Sequence, residues 1–160
     1  MDVKRRKVLK QGGGVSLLAL VAAAGWLAPR AALAQAQSWN KAAFETQSMD
    51  DTMRALGGGA PVPSKDIQFV STPDIAENGA VVPVGASTTL PGVKRLLILV
   101  EKNPSVLSAA FDVNEFVEPA FTTRVKMGQS SNVLAVALMA DGRVLYAQKE
   151  VKVTLGGCGG

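Results

Sequence analysis

Val133-Leu134-Ala135-Val136-Ala137-Leu138-Met139-Ala140 runs into Asp141-Gly142-Arg143 and out again as Val144-Leu145-Tyr146-Ala147-Gln148-Lys149-Glu150-Val151-Lys152-Val153-Thr154-Leu155. An Asp-Gly pair between two apolar runs is the strongest short-range hairpin signal, so Asp141-Gly142 is expected to close a two-residue turn between strands. Outward from this hairpin, residues 66–71, 81–86, 94–102, 106–113 and 121–127 also read as strands. Turn residues separate them, among them Pro73-Asp74, Asn78-Gly79, Pro91-Gly92, Asn103-Pro104 and Gly128. About seven short strands in a row predict an immunoglobulin-like β-sandwich over 66–155, with a small barrel as the alternative.

Two of these strands are too apolar for a single core. Leu96-Leu97-Ile98-Leu99-Val100 is unbroken, and 133–140 contains no polar residue. One face of a sandwich strand meets the core and the other normally meets water. Here the outer face needs a cover, from an N-terminal helix, another subunit, or both. Residues 35–65 supply a candidate. Asn40 can cap an α-helix running to about Leu56, where Gly57-Gly58-Gly59 stops it and Pro61 and Pro63 prevent its resumption. Ala42, Met49, Met53 and Leu56 share one helical face, with Phe44 off the stripe. By contrast Phe121, Val125 and Met127 alternate with Thr122, Arg124 and Lys126, the pattern of a half-exposed strand whose cations face water.

Residues 1–34 read as an export signal. Lys4-Arg5-Arg6-Lys7-Val8-Leu9-Lys10 precedes an uncharged segment from Gln11 to Pro29, and Ala32-Leu33-Ala34 is a pattern that signal peptidase accepts, with cleavage expected after Ala34. The paired Arg5 and Arg6 resemble a twin-arginine signal, although Lys4 and Val8 depart from its usual residues. The apolar stretch from Val15 to Ala28 falls short of the roughly 20 residues of a membrane span, so no stable membrane anchor is expected. Removal of this segment changes the formal charge from +4 to −1, leaving eleven basic and twelve acidic residues. A nearly neutral chain with scattered charges has no footprint for nucleic acid.

Composition excludes most catalysis. The chain has no histidine and one cysteine. Imidazole bases, His-ligated metals, internal disulfides and paired-thiol redox centres are therefore all absent. The remaining chemistry is at the end, where the last strand, with Val151, Val153 and Leu155 expected inward, runs into Gly156-Gly157-Cys158-Gly159-Gly160. Glycine is costly to order, so 156–160 is expected to form a flexible arm. Three residues beyond Leu155 can carry Cys158 about 10 Å from the strand. Flanked only by glycines, the sulfur could enter a channel scarcely wider than a backbone. An unperturbed thiol is mostly protonated at neutral pH, and nothing nearby in sequence activates it. Cys158 therefore reads as an attachment point on which other proteins act, with sulfane sulfur its natural cargo.

The terminus Val-Lys-Val-Thr-Leu-Gly-Gly-Cys-Gly-Gly resembles that of the SoxY family, sulfur carriers of periplasmic thiosulfate oxidation. Pro73-Asp74-Ile75-Ala76-Glu77-Asn78-Gly79-Ala80-Val81-Val82-Pro83-Val84 is similar to the family's most recognisable internal segment, and Glu101-Lys102-Asn103-Pro104 and Thr123-Arg124-Val125-Lys126-Met127 also match. The resemblance implies a non-enzymatic carrier in which Cys158 covalently holds thiosulfate-derived thiosulfonate and persulfide adducts, with no prosthetic group of its own. It further implies a heterodimer with a SoxZ-like subunit. A SoxAX-like haem enzyme would load the thiol, a SoxB-like manganese hydrolase would release sulfate, and a SoxCD-like molybdenum–haem pair would oxidise the remaining sulfane.

Two other readings compete. An exported adaptor sandwich could dimerise through a Cys158 disulfide. A one-cysteine peroxidase would need a pocket to stabilise its thiolate, which a glycine arm does not provide. The Asn78-Gly79 segment reads either as a simple turn tolerant of positive φ or as a surface that partners recognise.

Overall fold

The outer faces of the two most apolar strands are covered from within the chain. The computed structural model describes residues 40–155. The export-signal residues Arg5 and Arg6, the cleavage point after Ala34, and the arm residues Gly156, Gly157, Cys158, Gly159 and Gly160 lie outside them. In chain order the described residues form α1 (Lys41–Phe44), α2 (Met49–Leu56), β1 (Pro61–Pro63), β2 (Ile67–Val70), β3 (Ile75–Asn78), β4 (Val82–Thr88), β5 (Val93–Val100), β6 (Leu107–Asp112), β7 (Ala120–Val125), β8 (Ser131–Met139) and β9 (Val144–Leu155).

The strands make the expected β-sandwich. One sheet has the order β1-β9-β8-β5-β6, with β3 added alongside the far end of β9, and the other has the order β2-β4-β7. Alternation along β5 and β8 sorts their side chains between two cores. Leu96, Ile98, Val100, Val133, Ala135, Ala137 and Met139 meet Ile67, Val82, Val84, Ala86 and Val125 of the opposing sheet. Leu97, Leu99, Leu134, Val136 and Leu138 point the other way and pack with Ala43 and Met53 of the helices. Phe111 and Phe121 stack at 4.6 Å between centroids and join β6 to β7 across the sandwich.

The single helix expected from Asn40 to about Leu56 is two. Asn40 does cap the first, its side chain accepting from the Ala43 N–H, but that helix ends after one turn. Ser48 then supplies a fresh cap by accepting from the Asp51 N–H. Between them, the Thr46 carbonyl turns outward to accept the Val106 N–H at 3.0 Å. A residue that must hydrogen-bond to the sheet cannot also continue a helix, and a good capping serine two residues later restarts it. The break rotates the stripe, so that Ala43 is buried and Ala42 exposed, while Phe44 packs against the helix–sheet core. Gly57 ends α2 in the left-handed region at φ 74°, as expected of a terminating glycine.

The hairpin at Asp141-Gly142 has three loop residues rather than two. Met139 donates to the Arg143 carbonyl at 2.9 Å, and Gly142 donates to the Met139 carbonyl at 3.1 Å. Only Gly142 takes a left-handed backbone, at φ 85°. A two-residue type I′ turn would need positive φ at both Asp141 and Gly142. Two strands were not expected. β1 lies in the stretch read as a linker and pairs in parallel with the start of β9, from Pro61–Val144 to Pro63–Tyr146. Prolines are tolerated at such a sheet edge. β3 pairs in parallel with the end of β9.

Candidate functional site

The chemistry expected of Cys158 begins three residues beyond Leu155, the last described residue, so the describable site is the end of β9, the root of the expected arm. β8 accompanies β9 only as far as Ser131 opposite Val151. Past that point the Ser130 hydroxyl takes over and accepts the Val153 N–H at 2.9 Å. On the other edge β3 follows β9 to its last residue, with Ile75 opposite Lys152, Ala76 opposite Val153 and Asn78 opposite Leu155. Lys152 donates its N–H to the Asp74 carbonyl at 2.9 Å, and the Leu155 carbonyl accepts the Gly79 N–H at 2.7 Å. The Thr154 hydroxyl donates to the Glu77 carbonyl at 2.9 Å.

The segment 73–84 is therefore more than a turn. Its β3 portion clasps the arm root. At its start, Lys149 of β9 holds it with an ion pair to Asp74 at 3.1 Å and a hydrogen bond to the Thr72 carbonyl at 2.6 Å. At its end, Asn78 accepts the Ala80 N–H through its side chain and the Val81 N–H through its carbonyl. Neither Asn78 nor Gly79 uses positive φ; among the described residues the left-handed ones are Ser71, Gly57, Gly92 and Gly142. The Gly79 carbonyl in turn accepts the Met127 N–H at 2.7 Å, so the strand end, the clasp and the segment after β7 are tied in series.

This grip is made of hydrogen bonds rather than apolar packing. Val151 and Ala76 are buried and Val153 is partly so, but Leu155, expected inward, is 70% exposed. Ile75, opposite Lys152, and Val81 are also exposed. Beyond Met127 opens a groove of about 460 Å³ lined by Lys102, Asn103, Pro104, Lys126, Gly128 and Gln129. Among the described residues there is no group of three or more histidine, cysteine, aspartate or glutamate side chains that could hold a metal ion. Among them, too, no helix is long and apolar enough to cross a membrane.

Asp74, Glu77 and Ser130 are the site residues that sequence reasoning missed, and Gly79 was singled out without its role at β9. β3 is four residues long with an exposed-buried-exposed-exposed pattern, too short to register as alternation. The available signal was the segment's likeness to a family hallmark.

No curated protein sequence matches the chain. Among solved structures it is similar to the sulfur carrier protein SoxY from Chlorobium limicola f thiosulfatophilum, at 36% identity and a TM-score of 0.59, covering 66% of this chain and 96% of that one. It also overlaps the superoxide reductase (neelaredoxin) from Ignicoccus hospitalis, at 18% identity and a TM-score of 0.48 over 54% of this chain and 78% of that one. A likeness that distant has no bearing on function. The family model described as sulfur oxidation protein SoxY matches residues 52–158, from inside α2 through the arm root to the lone cysteine. The chain belongs to the SoxY family of sulfur oxidation proteins.

Proposed function

We propose that the protein carries sulfur on Cys158, presenting covalent intermediates of thiosulfate oxidation to partner enzymes on an arm that swings from the end of β9. The observation that carries this reading is that the SoxY match runs to Cys158 itself, on a chain with no other thiol. The 36%-identical Chlorobium protein is a sulfur carrier. In the loading step the Cys158 thiol gives up its proton and an S–S bond forms to the outer sulfur of thiosulfate. Two electrons leave to a haem partner of the SoxAX type, and a thiosulfonate remains on the arm. A SoxB-like manganese hydrolase then adds water across the bond to the sulfone. Sulfate departs with one proton released, and a neutral persulfide, S–SH, stays on Cys158. Where a SoxCD-like enzyme is present, it oxidises that sulfane further.

The physical properties of the root support this division of labour. The clasp by Asp74, Glu77, Gly79 and Ser130 fixes the direction in which the chain leaves β9. It uses main-chain groups and the Ser130 and Thr154 hydroxyls, so the apolar side chains of this region, Ile75, Val81 and Leu155, remain exposed for a partner to cover. A SoxZ-like subunit completes the carrier. Arg5 and Arg6 direct export, Ala34 precedes the cut, and the protein acts in the periplasm. The test is mass spectrometry of the C-terminal peptide from thiosulfate-grown cells, in which Cys158 is expected to bear added thiosulfonate or sulfur. Recovery of free thiol alone under all conditions would overturn the reading.

A further inference from the structure

The groove beside the arm root has a charge and a position that the carrier reading leaves unused. Two of its lining residues, Lys102 and Lys126, come from separate connections of the sandwich. Among the described residues neither ammonium is paired with a carboxylate; the nearby Glu101 carboxylate instead accepts from the Asn132 amide at 2.9 Å. The two connections are locked together, since the Asn103 amide donates to the Lys126 carbonyl at 2.8 Å and Lys102 donates its backbone N–H to Ser131 Oγ at 3.0 Å. The groove wall from Lys126 to Gln129 is also bonded to the arm root at both ends. Met127 reaches it through Gly79, and Ser130 reaches it through Val153. From Leu155 through Gly79 to Met127 is two hydrogen-bonded steps, roughly 10 Å at strand spacing. Cys158 has about 10 Å of chain beyond Leu155.

We infer that this groove is a parking site for the sulfonate end of the loaded arm. Lys102 and Lys126 bind its oxyanion, with the side-chain amides of Asn103 and Gln129 as neutral donors. Thiosulfate loading converts a neutral thiol into a singly charged tetrahedral anion, so the groove distinguishes loaded from unloaded arms. Tethering supplies an effective concentration in the millimolar range, enough for a weak, salt-screened site. Hydrolysis removes the sulfonate and so releases the arm. The inference rests on the carrier reading for its physiological cargo but is testable apart from it.

The test labels Cys158 of the purified protein as a mixed disulfide with either 2-sulfonatoethyl or methyl methanethiosulfonate and compares backbone amide shifts by NMR. The tethered sulfonate is expected to move the amides of Lys102, Asn103, Gly128 and Gln129 relative to the methyl label. The difference should disappear in a K102Q/K126Q variant and shrink as salt rises. Identical groove shifts with both labels would overturn the inference. So would a Cys158→Ser protein that responds to millimolar free thiosulfate as strongly as the tethered sulfonate does, which would give the groove to free anion. Failure to find adducts on Cys158 in cells would instead strike at the carrier reading and leave these label-based results standing.

Discussion

At its first residues β9 pairs in parallel with β1, and at its last it pairs in parallel with β3, yet the two ends are secured by different physics. At the hairpin end Val144 is 1% exposed and sits in the helix–sheet core with Leu138 and Met53. Gly59 reaches across to the Gly142 carbonyl. At the arm end the side chains of Lys152, Thr154 and Leu155 are exposed, and the strand is fixed by hydrogen bonds that Asp74, Glu77 and Ser130 accept and Gly79 donates. Burial gives stability but commits a side chain to one environment. A hydrogen-bonded grip contributes less energy per contact, about 1 kcal/mol per bond, but sets direction while leaving the surface free.

This contrast separates changes that affect transfer from changes that affect folding. The largest effect is expected on transfer alone. Replacing Gly156 and Gly157 together with valine should slow coupling of thiosulfate by a haem partner about tenfold to a hundredfold, since small misplacements at a reaction centre cost that much. The urea midpoint should stay unchanged. Equal coupling rates would show that the arm's thinness is irrelevant. At the other end, Val144→Ala should lower stability by about 2 kcal/mol through lost burial and a residual cavity, read by urea denaturation. Adduct formation on Cys158 should proceed at the parental rate, and a parallel loss of coupling would mean that the two ends are not independent.

A smaller effect tests the grip itself. Ser130→Ala leaves the Val153 N–H without its acceptor, a loss of about 1 kcal/mol. Hydrogen exchange should quicken at Val153 and not at Val144; uniform quickening would assign Ser130 to global stability instead. The smallest effect is a pH dependence at the hairpin. The Asp141 carboxyl is held below its ordinary value of 3.8 by the Arg143 backbone N–H and then by the Arg143 side chain. A depressed carboxylate contributes stability that is whole above its unfolded value and is lost as pH falls through the lower folded one. Asp141→Asn should therefore flatten the stability profile only in that acid range, and a difference that grows toward neutral pH would contradict the assignment.

Much of the sandwich was legible from residues alone because its strands are long and apolar. Val144–Leu155 begins and ends where the pattern said it would, and the surplus greasy face of 96–100 and 133–140 correctly demanded a cover. The helix break was not legible, because the Thr46 carbonyl's partner, Val106, is distant in sequence. β1 and β3 escaped notice because short edge strands with proline or mostly exposed side chains carry no alternation. The inward assignment of Leu155 failed for a related reason: alternation predicts which face a residue takes, not whether the core still extends beneath it.

Counting residue types was enough to exclude imidazole, His-ligated metal and paired-thiol chemistry, because functional groups that the chain lacks cannot be supplied by folding it. The terminal order of glycines and cysteine likewise set how far that thiol can reach, which is a matter of bond lengths. The choice of helices over a second subunit as the cover for the outer face came only with the fold, and so did the clasp that residues 73–79 form around the arm root. Both depend on contacts between distant segments, and the strength of those contacts is set by what the whole chain brings near, which local sequence does not encode.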